Sequence, residues 1–336
     1  MIGADRASGW VVEARQGDAA ALHGPWPPPD QAGERRLAVC RVVGPTALVL
    51  GSAQGRDRAR GAESRAGARA GEGPAESGSA ETGSAETGSA ESGSAETGSA
   101  ETGSAETGSA ETGSAETGSA ESGSAEIGGA DSRVRRDGFE TGPPDGRDRA
   151  GGTALALVCR RGGGGAVLVE PGAQVWIDVW VPRGDPLWDD DVVRGASWLG
   201  HAWAAALADI GLPGLVVHEG RSLSAPWSES ICFAGVGPGE VLVDHPPAKV
   251  VGLTQHRSRN GARMATMAHA RWKAGVVVAA AAEAGLVPGR DLGAAAAAVA
   301  GRAVGVLDLL ARAGVALHGG ILSEVEAAVV RRITST

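Results

Sequence analysis

Residues 75–129 are written almost entirely in five-residue units of the type Ala-Glu-Thr-Gly-Ser, and a stretch of that composition has nothing to fold around. It holds no aromatic side chain and a single large apolar one, Ile127. Burial therefore cannot offset the roughly 1–2 kcal/mol per residue that ordering a backbone costs. A five-residue period also fits neither the heptad of a coiled coil nor the longer units that stack into solenoids. The expectation is a solvated, disordered segment. Its flanks extend it, because residues 55–73 are rich in Arg, Gly and Ala and residues 133–152 alternate Arg and Asp around Pro143-Pro144. One low-complexity insertion, residues 55–151, is thus expected to interrupt a single folded domain.

Charge follows the same division. The repeat units contain eleven glutamates and no base, against a formal net charge of −9 for the whole chain. The folded remainder is close to neutral, which gives no electrostatic footprint for nucleic acid. The Ala-rich runs near the C-terminus are broken by Glu283, Arg290, Asp291, Arg302 and Asp308, so none reads as a membrane span. No basic and then apolar leader opens the chain. Three cysteines without clustered spacing suggest a reducing, cytoplasmic setting with neither a disulfide framework nor a metal site.

Within the remainder, cations are almost always arginine: of 31 basic residues only Lys249 and Lys273 are lysines. Lys249 lies in the apolar, strand-like run Ala248–Gln255. A lysine kept in such a background is expected where a compact point charge with rotatable donors is needed and a planar guanidinium would not serve. Upstream, the apolar run from Leu155 leads through Arg160-Arg161 into four glycines, Gly162–Gly165, and out through Ala166-Val167-Leu168-Val169. Glycines let bare backbone approach a ligand, and paired arginines beside free amides suit a carboxylate or phosphate. A plain turn between two strands is the other reading of this run. Cys232, in Ser230-Ile-Cys-Phe233, reads either as a small buried hydrophobe or as a nucleophile whose thiolate a nearby cation would favour. Cys40 and Cys159 lie inside apolar runs and read as core.

Taken together these segments resemble the lipoate-protein ligase and octanoyltransferase family, whose catalytic domain is shared with biotin protein ligases. Arg160–Val167 matches the family's Arg-Arg-x-Gly-Gly-Gly-Ala-Val segment, Ala248–Gln255 its lysine-bearing segment, Ala47–Gln54 its early Gly-x-x-Gln strand, and Ser230–Phe233 its Cys-Phe context. The resemblance covers most of the chain outside the insertion and suggests a divergent, actinobacterial-looking member. It implies an enzyme that attaches a lipoyl or octanoyl group to a lysine of a lipoyl carrier domain. Such domains are carried by 2-oxoacid dehydrogenase E2 chains and the glycine cleavage H protein. Lys249 would contact the acyl carbonyl or acyl phosphate, and Arg160, Arg161, Gly163, Gly164, Gly165, Ala166, Gly252 and Gln255 would bind substrate. On the ligase route an acyl adenylate forms from lipoate or octanoate with ATP and Mg²⁺, and no cofactor is tightly bound. On the alternative route Cys232 holds the acyl group as a thioester, as in an octanoyltransferase fed by acyl carrier protein or a lipoyl amidotransferase.

Two departures bear on the site. Asp244-His-Pro-Pro-Ala248 stands where the family has a Gly-Arg or Gly-Lys turn, and Met267-Ala-His269-Ala replaces its His-Gly. A non-catalytic lipoyl-binding protein is therefore a further alternative. His269 reads as an exposed strand-end histidine, or as a substitute for the missing one.

The fold class expected is α+β, a mixed sheet flanked by helices, with a catalytic domain over residues 1–272 and a C-terminal helical segment over residues 273–336. Residues 36–43 and 47–53 read as paired strands around Gly44-Pro45, and strands follow at 155–160, 165–169 and 174–181. Alternation places Trp176 and Trp180 on one face. Asp189-Asp-Asp191 opens a helix whose apolar positions recur to Gly211. Short strands are expected at 215–218, 231–234 and 240–244. A hairpin is expected from 249–257 to 262–272 across Asn260-Gly261, and three or four helices complete the chain.

Overall fold

The computed structural model describes residues 9–58 and 155–336, and strand alternation sets its layers. The inner strand β6 (Gln174–Pro182) is buried along both faces. Its odd-numbered residues Val175, Ile177, Val179 and Val181 pack with Leu199, Trp203 and Leu207 of helix α3 (Arg194–Asp209) and with Val325, Ala328 and Val329 of α7 (Ile321–Thr334). Its even-numbered Trp176 and Trp180 face the other way, against Ala47 and Val49 of β3 (Ala47–Leu50) and Val167 and Val169 of β5 (Val167–Val169). The alternate residues of β3, Leu48 and Leu50, look outward again onto α4 (Ala274–Glu283) and α5 (Leu292–Ala300). Successive side chains of a strand point to opposite faces, so the result is helices, large sheet, small sheet and helices.

Among the described residues the large sheet has seven strands in the order β1-β2-β6-β10-β9-β8-β7, and the small one runs β4-β3-β5. The remaining strands are β1 (Trp10–Gly17), β2 (Arg35–Val42), β4 (Ala156–Cys159), β7 (Val216–Val217), β8 (Val241–Val243), β9 (Ala248–Arg257) and β10 (Gly261–His269). β1 and β2 run parallel, as do β3 and β4; the other pairs are antiparallel. α1 (Ala19–His23) follows β1, residues 52–58 form a helix, α2, whose last four residues lie beyond Gln54, and α6 (Val306–Arg312) precedes α7. This is the α+β class expected. Of the insertion expected over residues 55–151, residues 55–58 belong to α2 and the rest, the repeat included, lies outside the described residues.

Several local expectations hold for identifiable reasons. Asp191 starts α3 by accepting hydrogen bonds from the Val193 and Arg194 amides at 2.7 and 3.2 Å. The β9–β10 hairpin turns at Ser258–Gly261, and the C-terminal part forms four helices, with Gly285 and Gly314 at positive φ after α4 and α6. Those helices pack on the sheet: α7 lies along α3, and the backbone of Arg302–Val304 pairs with Lys249. No helix among the described residues is long and apolar enough to cross a membrane.

Two expectations are corrected. β2 and β3 do not pair with each other. β2 sits between β1 and β6, and the chain crosses at Gly44 into the small sheet. The true partner, β1, hides in the sequence because its Glu13 and Arg15 serve a polar network facing Asp178, Arg36 and Trp26. Residues 231–234 are not a strand either. Ile231 makes one parallel bridge with Ala166, and Cys232–Ala234 then curl into a 3-10 turn.

Candidate functional site

The glycine run and the lysine strand meet at that 3-10 turn. Cys232 N donates to the Ala166 carbonyl at 2.9 Å, and Ala166 N donates to the Ser230 carbonyl at 2.9 Å, so the Cys232 segment is sewn to the end of the glycine loop. Gly165 permits this approach, since a Cβ there would stand 2.7 Å from the Ile231 and Cys232 backbone. Gly164 adopts φ +88°, a region open mainly to glycine, and a Cβ on it would lie 3.5 Å from Cys232 Sγ.

Arg160 shapes the loop from inside. Buried to 6 % exposure, it donates to the carbonyls of Gly163 (2.6 and 3.2 Å), Gly165 (2.7 Å) and Val49 (3.1 Å). Ser52 N donates to the Gly162 carbonyl at 3.0 Å. With the carbonyls drawn inward, the Gly163 and Gly164 amides donate to nothing among the described residues. Arg160 therefore acts on the loop; Arg161 is exposed and, with Arg160, lines a separate cavity of about 220 Å³ together with Trp26, Trp180, His256 and Arg263.

Lys249 is 1 % exposed. Its backbone is held by Arg302 and Val304, and its Nζ donates to the Cys232 carbonyl at 2.8 Å and to Glu240 Oε2 at 2.7 Å, 5.1 Å from the centre of the Phe233 ring. Glu240 is a site residue that the sequence reading passed over as the start of a strand. Its carboxylate also accepts from the Gly237 amide at 2.6 Å and the Leu253 amide at 3.1 Å. The available signal was an acid in the Gly-Pro-Gly-Glu run just ahead of an isolated lysine.

A cleft of about 1510 Å³ is lined by Gly163, Gly164, Gly165, Cys232, Glu240 and Lys249, among others. Cys232, Leu253 and Thr254 also line an inner apolar cavity of about 50 Å³ walled by Val167, Val169, Trp176, Phe233 and Met267. Gly252 belongs to that inner wall, where a Cβ would press on the Phe233 ring at 3.0 Å. Gln255 lines the cleft and donates to the Val192 carbonyl at 2.9 Å. Ala166 is buried behind the loop. Cys40 is buried as expected, whereas Cys159 is exposed.

His269 is not an exposed strand end. It is 7 % exposed, with its ring 4.6 Å from Phe233 and 5.4 Å from Trp272, and its Nε2 has no hydrogen-bond partner among the described residues. Burial, with the charges of Lys249 and Lys273 nearby, pushes its pKa down to about 4, so it sits neutral beneath the lysine. His23 stacks on Trp176 at 4.6 Å and is pushed down to about 3 by burial and then by Arg263, Arg160 and Arg15. No group of three or more His, Cys, Asp or Glu side chains among the described residues is arranged to hold a metal ion.

No protein-family model matches the chain, and no curated protein does. Among solved structures it is similar to the bi-partite lipoate protein ligase of Thermoplasma acidophilum, described with its E2 lipoyl domain, at 10 % identity and a TM-score of 0.45 over 96 % of this chain and 83 % of that one. A T. acidophilum protein assigned as a lipoate protein ligase, with lipoic acid bound, gives 16 % identity and a TM-score of 0.36. A lipoate-protein ligase A bound with ATP gives 15 % and 0.35. The chain spans 58 % of the length of each of these last two.

Proposed function

We propose that the chain attaches a lipoyl or octanoyl group to a lysine of a lipoyl carrier domain, by the acyl-adenylate route of a lipoate-protein ligase. The observation that carries this reading is the Lys249 ammonium, fixed on the floor of the cleft beside the Cys232 turn and the glycine loop. Amide formation at a carboxyl carbon places negative charge on the acyl oxygen. A buried ammonium and the Gly163 and Gly164 amides, which line the cleft and have no acceptor among the described residues, are suited to receive it, each such donor being worth on the order of 3 kcal/mol in the transition state. The cavity beyond Cys232 has the apolar lining an acyl chain needs but, at about 50 Å³, would have to widen to admit one, and the cleft of about 1510 Å³ has the volume for the activating group and the incoming lysine. ATP would be a substrate here. The Gly163 and Gly164 amides, which have no acceptor among the described residues, suit its phosphates, and Mg²⁺ is of the kind that arrives on phosphate oxygens.

One observation favours a second route. Cys232 stands where the cleft meets the inner cavity, the place a thioester-linked acyl chain would need its sulfur. Intact-mass analysis of an apo lipoyl domain separates the two. Modification with lipoate, ATP and Mg²⁺ that survives Cys232→Ala supports the ligase. Modification only from octanoyl-acyl carrier protein, lost in Cys232→Ala, replaces it with the thioester transferase, and no modification from either donor leaves a lipoyl-binding protein.

A further inference from the structure

We propose that Glu240 is the positioning residue of this site, holding the Lys249 ammonium in one orientation so that a single N–H remains for the acyl oxygen. The inference rests on the acyl-transfer reading for what that N–H does. An ammonium has three donors; here one goes to Glu240 Oε2 at 2.7 Å and one to the Cys232 carbonyl at 2.8 Å. Glu240 is itself fixed from two directions, by the Gly237 amide from the loop before β8 and by the Leu253 amide from β9. Both partners are nearly sealed, Lys249 at 1 % and Glu240 at 3 % side-chain exposure. A lysine stem is long and freely rotating, so an ammonium meeting only one neutral carbonyl would be neither charge-balanced nor held.

The surroundings offer no substitute. Among the described residues Glu240 is the one carboxylate in ion-pair range of Lys249. His269, under the Phe233 ring, is neutral, and Lys273 is directed to Glu170 at 3.7 Å. Glu240→Gln keeps the side chain's length and removes its charge. Glu240→Asp keeps the charge and withdraws it by one methylene.

The chain's two lysines make the test direct. Protein labelled with ¹⁵N at lysine Nζ has two side-chain resonances; half-exposed Lys273 serves as the internal reference, and circular dichroism checks the fold of each variant. Transfer to an apo lipoyl domain is measured on the same samples. The expected result for Glu240→Gln is a displaced or broadened Lys249 resonance, an unchanged Lys273 resonance and a transfer rate lowered at least tenfold. Glu240→Asp should give an intermediate rate, and it carries the comparison if the Gln variant does not fold. A Lys249 resonance superimposable on the native one overturns the proposal, as does a displaced resonance with native transfer. A native chain that transfers nothing overturns the acyl-transfer reading, and the resonance still decides whether Glu240 holds Lys249.

Discussion

At the scale of single residues, the site is a buried ion pair with a neutral histidine behind it. Removing one member of such a pair strands the other: Lys249→Ala should lower the unfolding free energy by roughly 3–5 kcal/mol. The double variant Lys249→Met/Glu240→Gln should recover part of that loss in urea titrations, and a double variant as unstable as the two singles combined would contradict the pairing. His269 gives a second prediction. Its folded pKa of about 4 lies below the ordinary 6.5, so the unfolded chain binds the extra proton first. Its contribution is whole above pH 6.5 and is lost as pH falls toward 4, by roughly 3 kcal/mol. His269→Phe should therefore narrow the stability difference between pH 7 and pH 4. The His23 limb, which acts in the same direction with a pKa of about 3, would be left in place. Parallel melting curves for the two proteins across that range would rule this out. Lys249 was legible in the sequence because it is rare and sits in an apolar strand. Glu240 was not, since its function depends on a bulged β8–β9 register that only the fold supplies.

At the scale of elements, the glycine loop shows what sequence can and cannot give. The four glycines announced a close approach, but two of these approaches are made by the protein itself: Gly165 to the backbone of the Cys232 turn and Gly162 to the Thr254 side chain. The two arginines looked equivalent, yet Arg160 faces in and holds three carbonyls while Arg161 faces out. Which way each points depends on the crossing between β4 and β5, a property of the small sheet rather than of the motif. If Arg160 sets the loop, Arg160→Lys, which keeps the charge and loses the fork, should cost about 2 kcal/mol of stability. Transfer should fall roughly 100-fold, by analogy with the loss of an oxyanion donor. Native transfer by a folded Arg160→Lys protein would show that the loop holds its shape without the clamp.

At the scale of the whole molecule, alternation in β6 placed Trp176 and Trp180 on one face, whereas the second sheet was not legible, because β3 is buried on both faces and its unbroken apolar run reads as one more strand of a single sheet. β1 was not legible either, because its charged residues are satisfied only once Asp178, Arg36 and Trp26 are in place. Residues 59–154 include the repeat, whose composition has nothing to add to a core. β3 and β4 are parallel, so the connection between them must cross over and needs a dozen or so residues. Replacing residues 59–154 with a Gly/Ser linker of about that length should leave Tm within a few degrees and transfer within about twofold of the full chain. A protein that no longer folds would assign the segment a structural role. The central claim is that the Lys249 ammonium promotes acyl transfer, and the most direct measurement is the rate of apo lipoyl domain modification by native chain and by Lys249→Arg, followed by intact mass with lipoate, ATP and Mg²⁺. The account predicts modification by the native chain and a loss on the order of 100-fold or more in the arginine variant, with its fold confirmed by circular dichroism. A domain left unmodified by the native chain from this mixture and from octanoyl-acyl carrier protein alike, or an arginine variant as fast as native, would contradict it.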